Sequence, residues 1–151
     1  MKKYTNDIND TKLEELLNQR KSPLLSQAGL NTILQQLTVF MTGDVIFFSA
    51  IYPKKEVEQM TVTDIDKADM MQGSDDEKYF TVFSTIEKLK EFKPTLKDGE
   101  QIYVFTKKDL LIFLEINQKV AAVVLNPMSD DLLLHRMLLQ NLIQVGSQEM
   151  L

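Results

Sequence analysis

Residues 79–127, YFTVFSTIEKLKEFKPTLKDGEQIYVFTKKDLLIFLEINQKVAAVVLNP, decide the fold. This stretch holds three β-favouring runs, at 79–83, 101–105 and 120–125, separated by two segments with apolar residues at helical spacing. Both connections are longer than the dozen residues that a parallel crossover needs, so the pattern predicts a right-handed βαβαβ unit with three parallel strands. The last run is apolar on both faces, which is typical of a central, covered strand.

The residues before this stretch predict two helices and further strands. Thr11 begins the first helix, in a capping box with Glu14, and an apolar stripe at 30–37 predicts the second. Short β-favouring runs at 38–41 and 61–65 and a buried run at 45–48 predict strands. The acidic segment 66–77 reads as an exposed loop between two strands.

Together these elements predict an α/β fold of the mixed (α+β) kind in a single domain. We expect a mixed sheet of about five or six strands with a βαβαβ half, two leading helices and a terminal helix over residues 130–143. The predicted boundaries are a flexible N-terminus over 1–10, a domain over 11–145 and a polar tail over 146–151.

Composition excludes several classes of protein. The 151-residue chain contains no Cys, which excludes a disulfide framework and thiolate metal sites. Its net charge is −5 and its pI about 4.9, and Arg20 and Arg136 are its two arginines, so we expect no nucleic-acid partner. No apolar run has the length of a membrane helix, and residues 4–10 lack the apolar core of a signal peptide, so we expect a cytoplasmic protein without a membrane partner.

The sequence offers no competent catalytic set. His135 is the single His, and it lies in an apolar segment, where an imidazole on the flank of a helix with a local hydrogen bond is expected. No nucleophile elbow is present, and no glycine lies at a strand-to-helix joint where it would cradle a phosphate. We therefore expect no catalytic residue, no metal and no cofactor.

Polar side chains end all three strands of the βαβαβ unit. Ser84, Thr106 and Asn126 follow these strands directly, and the carboxyl ends of parallel strands meet at the edge where open α/β sheets bind ligands. One interpretation is that each side chain caps its own helix, with Ser84 in a capping box with Glu87. The other is a ligand-binding edge for a small anion or an acidic peptide end.

The terminal helix raises a second hypothesis. Its apolar arc between residues 132 and 143 is wider than one core-facing stripe needs. Either the helix is buried on two sides, or one side binds a protein partner or a second copy of the chain through Leu134 and Leu138.

Three blocks of the chain resemble the N-terminal domain of the enhanced-serine-sensitivity (SseB) proteins of bacteria. The first contains residues 13–17 and, after a Pro, residues 30–40; the others are residues 79–89 and 109–127, and the closing Val-Val-Leu-Asn-Pro at 123–127 is the most specific match. This sequence has Thr81 where the family often has Pro, and Met128 where the family often has Gly after Asn-Pro. The resemblance spans residues 11–127.

The resemblance implies a small cytoplasmic α/β domain and carries over no catalytic residue and no cofactor. With the absence of a catalytic set and the broad apolar terminal helix, it favours a non-enzymatic protein-interaction or regulatory module. The alternative is a small-molecule or anion-binding sensor that uses the carboxyl edge of the parallel strands.

Overall fold

A computed structural model describes residues 1–5 and 12–149 as one compact unit of mixed α/β structure. Five α-helices are present in these residues. They are α1 (Lys12–Gln19), α2 (Gln27–Thr42), α3 (Ile86–Phe92), α4 (Lys107–Ile116) and α5 (Arg136–Glu149). Eight strands accompany them. They are β1 (Lys2–Lys3), β2 (Ile46–Pro53), β3 (Ile65–Lys67), β4 (Met70–Gln72), β5 (Lys78–Val82), β6 (Gln101–Thr106), β7 (Val120–Leu125) and β8 (Leu132–Leu134).

The strands form two four-stranded sheets. Their orders are β1-β6-β2-β3 and β4-β5-β7-β8. In the described part of the chain, Phe48 and Phe83 connect the two sheets through two backbone hydrogen bonds of 2.8 Å. Beside this bridge, the hydroxyl of Ser49 on β2 donates to the carbonyl of Thr81 on β5 at 2.8 Å. The expected single sheet is therefore divided in two, with the short strands β3 and β4 lying where β2 and β5 diverge.

The predicted parallel unit is present in part. β5 and β7 pair in parallel, with Phe80 opposite Val123. β6 instead belongs to the other sheet, where both of its neighbours, β1 and β2, are antiparallel to it. The run 101–105 is a strand as expected, but its apolar pattern carries no information about which strand it pairs with.

Several boundaries differ from the predictions. The β-favouring run 38–41 lies inside α2, because Leu37 and Met41 are one helical turn apart and both are buried in the core. The run 61–65 is mainly a 3-10 turn (Val62–Asp64), and the predicted loop 66–77 contains β4. α5 continues through residue 149, beyond the predicted start of the polar tail.

At the N-terminus, Lys2–Lys3 form an edge strand on β6, although the segment 1–10 was expected to be flexible. The amine of Met1 donates a hydrogen bond of 2.9 Å to the carbonyl of Met60. The predicted cap residue Thr11 lies outside the described residues.

The core lies mainly on one face of the two sheets. Side chains of α1, α2, α4 and α5 pack there against β2, β5, β6 and β7, and the rings of Phe80 and Phe113 stack at 4.3 Å between centroids. A smaller cluster fills the space under α3 on the opposite face. It contains Phe48, Phe83, Ile86, Leu89 and Val104. Both faces of the central strands are thereby covered.

Candidate functional site

Ser84 lies two residues after the end of β5 and does not cap α3. Thr85 is the N-cap, because its hydroxyl accepts the N–H of Lys88 at 3.2 Å. The N-cap is therefore one residue later than predicted, and the predicted capping box from Ser84 to Glu87 does not form. Ser84 is 1% exposed, and its hydroxyl donates to Oε2 of Glu14 on α1 at 2.6 Å.

Asn126 directly follows β7 and lies in the left-handed region, with φ 52°; it is also 1% exposed. Its Oδ1 accepts the N–H of Ser84 at 2.9 Å. Its Nδ2 donates to the hydroxyl of Ser84 at 2.9 Å and to Oδ2 of Asp130 at 2.7 Å. Both amide hydrogens are used within the protein, so Asn126 keeps no donor for a ligand.

Asp130 extends this network to the end of α1. Its carboxylate lies 3.3 Å from Nη2 of Arg20 and 2.5 Å from Nζ of Lys21. Burial by itself would raise the pKa of Asp130, but hydrogen bonds from Lys21, Asn126 and Arg20 outweigh burial and hold the pKa below its ordinary value of 3.8. The carboxylate is thus charged and compensated inside the fold.

We call these six residues the Asn126 cluster. They are Glu14, Arg20, Lys21, Ser84, Asn126 and Asp130. The cluster joins α1, the β5–α3 connection and the loop after β7 through hydrogen bonds and ion pairs. Its donors and acceptors are directed at one another, which is typical of a polar network that stabilises the fold.

Thr106 lies apart from the other two predicted site residues. It pairs with Ile46 of β2, while Phe48 of the same strand pairs with Phe83, so β2 separates Thr106 from Ser84. Thr106 caps α4 in a capping box with Asp109, as the first interpretation expects. The structure therefore brings together Ser84 and Asn126 but leaves Thr106 outside.

A depression of about 320 Å³ lies beside the Asn126 cluster, against α3. Its lining includes Lys88, Phe92, Asn126 and Ser129, and Nζ of Lys88 donates to the hydroxyl of Ser129 at 3.2 Å. Lys88 also lies 3.9 Å from the carboxylate of Glu14. The ammonium of Lys88 is the cationic group that an anion would meet there.

Leu134 and Leu138 are not equivalent. Leu134 belongs to β8, where it pairs with Val123, and it is 1% exposed. It lies in the core of the monomer and offers no surface to a partner. Leu138 is half-buried on α5 and packs against the same core. The apolar arc is wide because residues 132–134 form a strand, so α5 needs only one apolar stripe.

His135 has the local role expected of it. Its Nδ1 accepts the N–H of Leu138 at 3.2 Å at the start of α5. Among the residues that the structure describes, no group of three or more His, Asp or Glu side chains is arranged to hold a metal ion. In the same part of the chain, no helix combines the length and the apolar character needed to cross a membrane.

Arg136 is used inside the fold. Its Nη2 donates to the carbonyls of Leu114 at 2.7 Å and Val120 at 2.9 Å, at the end of α4 and the start of β7. A cation at the C-terminus of a helix complements the helix dipole. Since Arg20 binds Asp130, each arginine stabilises a connection between elements.

The exposed side of α2 is a candidate site that the sequence patterns did not predict. Residues 22–43 contain no charged side chain, although 26% of the chain is charged. α2 nevertheless presents a large exposed side. The uncharged face of α2 consists of Ala28, Asn31, Thr32, Gln35, Thr38 and Val39, all of them exposed. A solvated helix normally carries charges on such a face, so the uncharged run was the available signal.

Hydrogen bonds within the helix make this face less polar than its residue types indicate. The hydroxyl of Thr32 donates to the carbonyl of Ala28 at 3.1 Å, and that of Thr38 donates to the carbonyl of Leu34 at 2.9 Å. Each threonine thus satisfies its hydroxyl on its own helix. Val39 is 65% exposed, and it lines a broad surface hollow of about 610 Å³ together with Leu34.

Comparison of the chain with protein-family models, curated proteins and solved structures finds no match.

Proposed function

We propose that this chain is an SseB-like domain that acts in the cytoplasm as a non-enzymatic protein-interaction or regulatory module. The observation that carries the proposal is the uncharged face of α2, which is exposed to solvent along a helix of 16 residues. The centres of protein interfaces are depleted of charged residues, whereas solvated surfaces are rich in them. We assign the binding surface to this face, and not to Leu134.

Burial on α2 supports the assignment. Leu37, Met41 and Thr42 are its buried residues, so the helix contacts the core mainly through its C-terminal half. Leu34 and Val39 remain 41% and 65% exposed, and Leu24 just before the helix is 93% exposed. Exposed apolar side chains on an element without charged residues are a feature of interaction sites.

A backbone angle supports the family part of the proposal. Met128 has φ 67°, in the left-handed region that costs an ordinary side chain energy and costs glycine none. The SseB family often has Gly at this place after Asn-Pro. A chain of that family that had exchanged Gly for Met would retain this turn.

Site-specific crosslinking tests the interaction function. A photo-crosslinking amino acid replaces Val39 in the full chain, expressed in its native host, and in a matched variant it replaces Ile116, which is 53% exposed on α4. We expect a discrete protein adduct from position 39 that disappears when Ala28→Lys is added, and none from position 116. No adduct at position 39, or the same adducts from both positions, would contradict the proposal.

The depression beside Lys88 favours a second candidate, a sensor of small molecules or anions at the carboxyl edge of β5 and β7. Lys88 and Ser129 supply its hydrogen-bond donors, since Ser84 and Asn126 are bonded within the cluster, and the carboxylate of Glu91 also lines it. A thermal-shift screen with anionic metabolites tests it. We expect a stabilising anion to lose its effect in Lys88→Ala and to keep it in Lys90→Ala; a screen without any stabilising anion removes this candidate.

A further inference from the structure

We propose that the partner of the uncharged face of α2 is a second copy of this chain, bound through an antiparallel α2–α2 pair. The inference rests on the proposed interaction function and names its partner. Three observations carry it: the spacing of the exposed residues on α2, the absence of charge there, and the charge of the whole chain.

The spacing matches the seam of a two-helix pair. Ala28, Thr32, Gln35 and Val39 are separated by four, three and four residues, which is the spacing of the a and d positions in a coiled coil. All four side chains are exposed. The core-facing residues of α2, such as Leu37 and Met41, lie on a different side of the helix. The seam is therefore additional to the stripe that holds α2 to the domain.

An antiparallel two-fold pair makes this seam complementary to itself. The symmetry places Ala28 of one copy opposite Val39 of the other, and Thr32 opposite Gln35, so a small side chain faces a branched one at each end. The hydroxyl of Thr32 already donates to Ala28 within its own helix, so the pairing buries the methyl group without an unsatisfied donor. The opposed helix dipoles add a favourable interaction.

The distribution of charge makes this surface the place where a second copy is least opposed. Two chains of net charge −5 repel each other, and an interface between copies is least opposed where neither copy carries charge. Residues 22–43 provide that surface. A partner selected by charge complementarity would need charged groups on the face itself, and none is present.

The size of the face sets the strength of the pair. A helix of 16 residues is about 24 Å long. Stable interfaces commonly bury about 800 Å² on each partner, and the seam alone covers less than this area. Leu24, which is 93% exposed, adds area, because the antiparallel arrangement places it beside the C-terminal end of the partner's α2. We expect a weak, reversible dimer.

Complementary charges at the two paired positions provide the test. Sedimentation equilibrium of the wild-type chain is expected to show an average mass that rises with concentration from 17.4 kDa toward twice that value. Ala28→Glu and Val39→Lys should each remain monomeric, because each leaves a charge facing an apolar side chain. Both substitutions suit the dipole of α2, and circular dichroism checks that the fold is retained.

An equimolar mixture of the two variants should dimerise again, because the antiparallel pair places the introduced carboxylate against the introduced ammonium. Gln36→Glu, on the exposed side of α2 but off the seam, should associate like the wild type. A wild-type chain that stays monomeric, or a mixture that stays monomeric when the wild type dimerises, overturns the inference. If the wild type is monomeric but position 39 crosslinks to a different protein, the interaction function survives without this partner.

Discussion

The carboxamide of Asn126 and the residue Ser84 form two reciprocal hydrogen bonds of 2.9 Å, 42 positions apart in the sequence. Both residues are 1% exposed. The pair joins the ends of two parallel strands, and Glu14 and Asp130 connect it to α1 and to the loop after β7.

Removing the carboxamide should destabilise the protein. Asn126→Ala leaves the buried N–H of Ser84 without its acceptor, at a cost of about 1–3 kcal/mol in the free energy of unfolding. Urea denaturation followed by circular dichroism measures the change. Asn18→Ala, at an exposed position of α1, should shift the free energy by less than about 0.5 kcal/mol. Equal effects of the two substitutions would contradict the assigned role of Asn126.

The pH dependence of stability should reflect Asp130. Its pKa is lower in the folded chain than the ordinary value of 3.8, so its charge stabilises the fold above that value, and this stabilisation is lost as the pH falls through the folded pKa. Asp130→Asn should lower stability at pH 7 and reduce the loss of stability on acidification.

Part of the acid dependence should remain in Asp130→Asn. Hydrogen bonds from Lys97 and Lys93 also lower the pKa of Asp69, which therefore contributes in the same pH range. Urea denaturation at a series of pH values below 5 compares the variant with the wild type and with Asp98→Asn, an exposed carboxylate in the turn before β6. Identical acid profiles for all three proteins would exclude the stabilising role of Asp130.

Two adjacent leucines of β8 should respond differently to charge. Leu134 is 1% exposed and Leu133 is 48% exposed. Leu134→Glu buries an unpaired carboxylate and removes a core side chain, so it should cost at least about 3 kcal/mol and lead to unfolding or aggregation. Leu133→Glu should keep the fold, and thermal denaturation distinguishes the two. A stable, folded Leu134→Glu variant would instead favour the partner-binding alternative for Leu134.

Position 128 should prefer glycine. Met128 is 82% exposed and has φ 67°, so Met128→Gly loses little packing and removes a steric cost, which should raise the free energy of unfolding by about 0.5–1 kcal/mol. Met137→Gly, at an exposed site in α5, should lower it by about 1 kcal/mol. Urea midpoints provide the measurement, and a destabilised Met128→Gly would show that the side chain contributes more than its exposure indicates.

Local patterns predicted most elements from 79 to 127 because each strand and helix there has its own apolar period and its own stop. They did not predict which strands pair, since β6 and β7 are both short apolar runs and yet lie in different sheets. The predicted N-cap of α3 is wrong by one residue, because Ser84 and Thr85 are both good N-cap residues. Which of them caps the helix depends on Glu14, which binds Ser84 and is distant in sequence.

Only two of the three predicted site residues lie together, and the reason is again the pairing of the strands. Capping explains Thr106 completely, whereas Ser84 and Asn126 meet only because β5 and β7 pair in parallel register. The predicted terminal helix includes the three leucines of β8, because a short apolar run is compatible with either a helix or a strand. Burial, and not periodicity, distinguishes Leu134 from Leu133.

The narrow connection between the two sheets, at Phe48–Phe83 and Ser49–Thr81, determines how the chain can be divided. In the sheet that contains β2, the central strand β6 comes after β5 in the sequence. In the sheet that contains β5, the central strand β7 comes after β6 in the sequence. The polypeptide passes back and forth between the two halves, so any cut between β2 and β7 removes a central strand from one of them. Split or truncated forms should therefore fail to fold independently, and denaturation of the intact chain should be one cooperative event in which both halves are lost together.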